Sequence, residues 1–396
     1  MSIIKETANI SEIILELRKF VAPELVYGID ARFMAGRTAA NLGVKRSLLV
    51  TDANVIAAGW AEDVEQSLAE YGIQVRRFTG VSPNPRDSEV MSGAAFYAEH
   101  GCDALVAVGG GSVIDCAKGI GIVISNGSGI LDYEGVDRVV IPMPPLICIP
   151  TTGGTSADLS QFAIITNSAE LVKIAIISKA VVPDVALVDP VTLTSMDPYL
   201  TACTGMDALS HAIEAYVSNA ASPITDLHAL EAMRLVAASL RRSVEAPFDM
   251  EERGQMMLAS LQAGLAFSNA SLGAVHSMAH SLGGYKDLPH GECNALLLPH
   301  VIDYNFLRVP ERFRRIADAL GIPVYGLSDA DVRSRLIRGV IDLRRQCGID
   351  GTLANRGVSI GDVNMLAGNA IKDPCNATNP RTPSRVDLDA VYREAL

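Results

Sequence analysis

Asp207 and His211 lie four residues apart in Asp207-Ala-Leu-Ser-His211, and His276, His280 and His290 punctuate an apolar, glycine-rich run further along the chain. Residues at i and i+4 share one helix face. A carboxylate set among Ala, Leu and Ile is costly unless it is partnered or protonated. A divalent cation held by one carboxylate and imidazoles removes that cost and creates a Lewis acid. His276 and His280 share a second helix face. Gly283-Gly284 reads as a helix break, with His290 beyond it on a loop or helix entry. Spacing leaves open whether His280 is a ligand or a proton relay. His100, His228 and His300 read as structural. The donors admit Fe(II), Zn(II), Mn(II) or Co(II), and residue types alone do not choose among them.

These side chains need a scaffold, and the first half of the chain supplies an alternation of apolar runs and helical stretches. Ser47–Asp52, Val75–Phe78, Ala104–Val108, Leu146–Ile149 and Val185–Val188 read as strands. The Ala104 run is apolar on both faces, as a central parallel strand must be. Ala61–Tyr71, Ser88–His100 and Val113–Ile124 read as helices, and Phe162–Thr166 with Val172–Ile177 as a hairpin. Gly109-Gly-Gly111-Ser112 follows the central strand and opens a helix, so its free N–H groups and the helix dipole suit an anion. It is not a G-x-G-x-x-G sequence. Pro150-Thr-Thr-Gly-Gly-Thr155 follows another strand and offers hydroxyls and backbone donors. Asp52 at a strand end suits a ribose diol and repels a 2′-phosphate, which favours NAD over NADP; an ordinary N-cap explains it equally well.

After Asp189-Pro190 strand-like runs almost vanish, and Ser222–Ser243, Glu251–Ala266, Glu311–Ala319, Asp329–Cys347 and Ser359–Lys372 read as helices. The expected fold is α/β plus all-α: a Rossmann-like, mainly parallel sheet domain over 1–190, and an all-helical metal-binding and catalytic domain over 191–396. The cleft between them is the default ligand site. A net charge of -12, with no basic stripe, argues against nucleic acid. No run of about 18 apolar residues suggests a membrane span, and the N-terminus does not read as a signal peptide. Seven scattered cysteines without a CxxC pair suit reduced thiols in the cytoplasm.

Read together, these segments resemble the iron-containing, group III alcohol dehydrogenases nearly end to end. The resemblance rests on Gly109-Gly-Gly-Ser-Val-Ile-Asp115-Cys-Ala-Lys118, the Pro150–Thr155 loop and Pro183–Pro190. It continues through Thr204-Gly-Met-Asp-Ala-Leu-Ser-His-Ala-Ile-Glu214, Gly273–Gly284, Leu288-Pro-His-Gly-Glu-Cys-Asn294 and Asn379-Pro-Arg381. It implies a dehydroquinate synthase-like architecture, with Asp207, His211, His276 and His290 as ligands of Fe(II), Zn(II) being admissible. It implies His280 as a proton relay beside the nicotinamide of NAD. Asp52 then selects the cofactor, Gly110, Gly111 and Ser112 form the pyrophosphate turn, and Thr151, Thr152, Thr155 and Lys173 add contacts. Phe162, Phe267 and Cys375 fall at the substrate pocket. Ser156-Ala157-Asp158 departs from the family's usual Gly-Ser-Glu, and the Thr-Ser-Ala-Asp-x-Ser-Gln-Phe pattern resembles a subgroup of alcohol-dehydrogenase-like regulatory proteins.

The expected activity is a cytoplasmic, homo-oligomeric oxidoreductase acting on short primary alcohols or aldehydes. A metal-held alkoxide would pass hydride to nicotinamide. The competing readings are a regulatory protein with little turnover, a zinc-dependent polyol dehydrogenase, and a structural role through oligomerisation.

Overall fold

The computed structural model describes residues 18–396. Nine strands occur among them: β1 (Glu24–Tyr27), β2 (Arg46–Val50), β3 (Gln74–Phe78), β4 (Ala104–Gly109), β5 (Gly135–Val136), β6 (Leu146–Pro150), β7 (Phe162–Asn167), β8 (Val172–Ile177) and β9 (Val185–Val188). Six make one sheet in the order β1-β9-β6-β4-β2-β3, with every pairing parallel. All six residues of β4 are buried because helices cover both faces. Ala104, Val106 and Val108 pack with Ala61, Val64 and Leu68 of the Trp60–Glu70 helix. Leu105 and Ala107 pack on the other face with Val90, Val113 and Ile120.

The position of β2 and β4 locates the ligand edge. β3 lies outside β2, whereas β6 lies on the far side of β4, so the strand order reverses between these two neighbours. The crevice at their C-terminal ends is where such sheets take a ligand. Asp52 follows β2, Gly110–Ser112 follow β4, and Thr151–Thr155 follow β6, all at this edge. The expected hairpin forms as antiparallel β7 and β8, from Phe162↔Ile177 to Asn167↔Val172, with β5 alongside β8.

Beyond Pro190 all regular elements among the described residues are helical. Their starts are written locally. Asp197 caps Pro198–Val217 by accepting from the Leu200 N–H, Ser222 caps Pro223–Glu245, and Asp249 caps Met250–Ala270. Ala, Leu, Met and Val of these helices and of Ala274–Lys286 and His290–Asn305 form the largest apolar core.

Two expectations are corrected, and two strands went unread. The helix does not break at Gly283-Gly284 but runs to Lys286 and ends at left-handed Asp287. The glycines serve close approach instead, since a Cβ on Gly284 would stand 2.7 Å from Val172 Cα. Ser359–Lys372 is helical only over Val363–Ala370, because Asp362 accepts from Ser359 N and Oγ and holds a turn ahead of it. β1, whose Glu24 and Tyr27 are exposed, and two-residue β5 carry too few buried residues to read as strands.

Candidate metal centre and cofactor edge

Asp207 and His211 project from one face of Pro198–Val217, a helix buried from Thr201 to Val217. His276 comes from Ala274–Lys286, and His290 is the first residue of His290–Asn305. Asp207 Oδ1 lies 3.8 Å from His211 Nε2, 3.6 Å from His276 Nε2 and 3.8 Å from His290 Nε2. Asp207, His276 and His290 bring ligand atoms within 4.8 Å of one another, with His211 at the margin of that trio.

Partners behind the rings set their direction. His276 Nδ1 lies 2.5 Å from Glu214 Oε2, and His211 Nδ1 lies 3.1 Å from the Gly154 carbonyl oxygen. Each ring therefore donates backwards from Nδ1 and turns its Nε2 toward Asp207, an arrangement typical of metal-ligating histidine. His211 is further fixed by stacking on Phe267 at 4.2 Å and on His276 at 4.5 Å. The Asn294 amide nitrogen sits among the same acceptors, 2.6 Å from Asp207 Oδ1, 3.1 Å from His276 Nε2 and 3.2 Å from His290 Nε2. Its own Oδ1 and His290 Nδ1 are buried with no partner among the described residues.

The electrostatics show what the acceptors lack. Burial opposes ionisation of Asp207, yet His211, His290 and His276 outweigh it and hold the carboxyl well below the usual range. Burial pulls His211 down to about 4 against Asp207, and pulls His290 well below its ordinary value. Burial also opposes a charged His276, but Glu214 and Asp207 win and push it up to about 9. One cation among the Nε2 atoms and Asp207 would satisfy all four groups, so the donor set fits a divalent metal.

These groups floor a cavity of about 100 Å³. Its opposite wall is Gly111, Ser112 and Thr155 from the sheet edge, with Lys173 between; Phe162, Phe267 and Leu272 make it apolar. Phe162 meets Phe267 edge-on at 5.6 Å. The glycine turn and threonine loop abut. A Cβ on Gly110 would stand 2.9 Å from Thr152 Cγ2, and one on Gly111 2.8 Å from Thr155 Oγ1. Thr152 Oγ1 and Thr51 Oγ1 are buried near this edge with no hydrogen-bond partner among the described residues.

Asp52, Gly110, Thr151 and Thr152 are not part of the cavity lining, though they share the sheet edge. Cys375, expected at the substrate pocket, is fully buried and stands instead behind His280 with Asp373. Sequence reasoning gave no role to Glu214, Asn294, Asp373 or Asn84. Asn84 accepts from Lys173 Nζ at 2.6 Å through Oδ1, and its amide reaches Asp287 at 2.7 Å. Glu214 had a readable signal, a carboxylate three residues past His211 in an apolar helix. Asn84 and Asp373 had none, since both sit in short polar turns.

The departures near residue 156 tie that loop to the helical side. Ser156 Oγ donates to the Ser260 carbonyl oxygen at 2.6 Å, and Gln161 Nε2 donates to that of Ser268 at 2.6 Å. Asp158 is buried, and that burial pushes its carboxyl up to about 6, above 3.8 in the unfolded chain. The folded state thus holds this proton more tightly, and stability is lost as pH rises from about 4 to 6, by about 3 kcal/mol. Asp158→Asn should unfold at higher denaturant than the parent at pH 7.5, with the gap about 1 kcal/mol smaller at pH 5. Equal gaps at both values would show that Asp158 does not carry this dependence.

A family model described as iron-containing alcohol dehydrogenase matches residues 22–190, and one described as Fe-containing alcohol dehydrogenase family, C-terminal, matches residues 201–396. The chain belongs to the iron-containing alcohol dehydrogenase family. It is a metal-dependent alcohol dehydrogenase or aldehyde reductase. It is 41% identical to an NAD-dependent methanol dehydrogenase of Bacillus methanolicus, covering 95% of this chain and 99% of that one. It is also 41% identical to a 1,3-propanediol dehydrogenase of Klebsiella pneumoniae, covering 93% and 96%. Among solved structures, a 1,3-propanediol oxidoreductase superposes with a TM-score of 0.92 at 40% identity, covering 96% of this chain and 100% of that one. An alcohol dehydrogenase from Oenococcus oeni gives 0.93 at 36%, with the same coverage.

Proposed function

We propose that this dehydrogenase interconverts short primary alcohols and aldehydes using NAD and a resident Fe(II). The supporting observation is one cavity that joins the Asp207–imidazole cluster to the glycine and threonine turns of the sheet edge. When bound, the cation would supply Lewis acidity toward the alcohol oxygen, and the nicotinamide would accept hydride. Asp207, His211, His276 and His290 would hold the cation. Gly110, Gly111 and Ser112 would take the pyrophosphate, with Thr151, Thr152, Thr155 and Lys173 around the remaining cofactor. Phe162 and Phe267 exclude water and restrict the chain length of the alcohol, while His280 receives the hydroxyl proton. The relatives whose names specify methanol and 1,3-propanediol support a short substrate. We assign the dinucleotide to 1–190 and the cation to 191–396, and we place the enzyme in the cytoplasm as a homo-oligomer. No helix among the described residues is long and apolar enough to cross a membrane.

Anaerobic purification with elemental analysis, followed by an NADH-linked screen of short alcohols and aldehydes, tests this reading. A protein with a full complement of iron and no turnover on any of them would favour the regulatory alternative.

Asp52 reconciles its two readings. Its Oδ1 alone accepts from the Asn54 and Val55 N–H groups as an N-cap, which leaves Oδ2 for a ribose hydroxyl. Asp52→Asn keeps an oxygen for the cap but discards the charge. We expect the ratio of kcat/KM for NAD over NADP to fall about tenfold or more, the scale of one lost charged hydrogen bond, with Tm nearly unchanged. An unaltered ratio would leave Asp52 as a cap only.

A further inference from the structure

His280 stands, with Lys173, between two cavities. On one side it lines the chamber that holds the Asp207 cluster and the phenylalanines. On the other it lines a separate pocket bordered by Glu134, Glu170, Lys372 and Asp373. The ring lies flat against His290, with centroids 5.2 Å apart and planes 14° apart, so it does not turn freely. Its Nδ1 is 2.7 Å from Asp373 Oδ2. Asp373 is itself pinned, since its Oδ1 accepts from the Cys375 N–H at 2.8 Å. Burial alone would raise the Asp373 carboxyl, but His280 and the Cys375 N–H hold it below its ordinary value, so it is an anion facing a ring N–H. That contact commits Nδ1 to the rear pocket and leaves Nε2 as the nitrogen available to the chamber.

We propose that Asp373 is the positioning residue for His280, and that the rear pocket with Glu134 and Glu170 is the route by which the alcohol proton leaves for solvent. The inference rests on the reading of His280 as proton acceptor given above. In alcohol oxidation the carbinol carbon gives a hydrogen with its electron pair to NAD+, forming NADH and aldehyde. One proton, from the hydroxyl, is left to discharge. A proton accepted at Nε2 on the chamber side is matched by one released from Nδ1 toward Asp373. It therefore crosses the wall without passing the apolar chamber walls or the cofactor, and the ring, left with its remaining proton on Nε2, turns over to restore the Nδ1 proton before the next turnover. Glu134 is partly buried, and burial raises its carboxyl, with the charges of Glu170 and Asp373 adding to that; an acid so placed can take the proton on and hand it to bulk water.

The test uses the iron-loaded full-length enzyme with NAD and a short alcohol. Asp373→Ala should lower kcat about 10- to 100-fold, the usual loss when a histidine's supporting carboxylate is removed. KM for alcohol and NAD and the iron content should stay unchanged, and added formate should recover much of the rate. The double variant Glu134→Gln/Glu170→Gln should lower kcat and enlarge the solvent deuterium isotope effect, again at constant KM. In metal-free protein with 15N-labelled histidine, Asp373→Ala should also shift the His280 proton away from Nδ1. Wild-type kcat in both the Asp373 and the glutamate variants, or an unchanged His280 tautomer, would overturn the proposal. If Asp373→Ala does not fold, Asp373→Asn and the glutamate pair carry the same test. His280→Ala separates the two levels. Full activity there would sink the relay itself, whereas a slow His280→Ala beside a fast Asp373→Ala would sink only the rear route.

Discussion

Asp207→Ala is expected to remove cation and turnover together. Asp207 is the carboxylate on the Nε2 side of His211, His276 and His290, and all three Nε2 atoms lie within 3.8 Å of its Oδ1. Without it the cation would face three imidazole nitrogens and no carboxylate in a buried pocket, which cannot offset a double positive charge. Loss of several kcal/mol of Lewis-acid stabilisation lowers kcat by about a thousandfold or more. Removing one member of a buried charged cluster also destabilises the fold, by about 3–5 kcal/mol. Asp207→Asn, with the same shape, therefore belongs beside it. Elemental analysis and circular dichroism on both variants, with initial rates, check the expectation. A folded, iron-free variant that still turns over would refute the assignment of these ligands.

The logic that singled out Asp207 also shows where sequence reading stops. Hydropathy alone marked β4, because six consecutive buried residues admit no polar alternation. It marked Ser222–Ser243 for the converse reason, an apolar stripe interrupted by polar positions at helical spacing. The ligands were legible because their types are costly where they stand. What escaped depends on contacts between distant segments. Asp373 meets His280 from 93 residues away, and Asn84 meets Lys173 from 89. Neither sits in a pattern that a single strand or helix would impose. Gly283-Gly284 misled because a glycine pair has two physical uses, ending a helix or letting another backbone approach it. Only the neighbouring Val172 decides between them. Cys375, which the resemblance put near the chamber, clusters with His280 and Asp373 and is not in the chamber lining.

Glu214 provides the sharper test of how this site is built, because it should touch no metal and yet govern its affinity. The carboxylate is 3% exposed, and its oxygens accept from the Val275 N–H at 2.7 Å and from His276 Nδ1 at 2.5 Å. Both partners are donors, so a group with two acceptors is required. Glu214→Gln replaces one acceptor by an NH2 that must face a donor. The backbone N–H cannot move its proton, but the imidazole can, by shifting it to Nε2. That is the nitrogen turned toward Asp207, and a protonated Nε2 cannot ligate. We expect Glu214→Gln to bind Fe(II) about 10- to 100-fold more weakly. Near-wild-type kcat should return at high free iron, because the four ligands remain in place. Asp207→Ala should not recover at any iron concentration. Chelator competition on both variants reads the difference directly. Equal iron affinity in Glu214→Gln and the parent would mean that His276 keeps its tautomer without the carboxylate, and that the ligand direction is set by the packing of the Ala274–Lys286 helix instead.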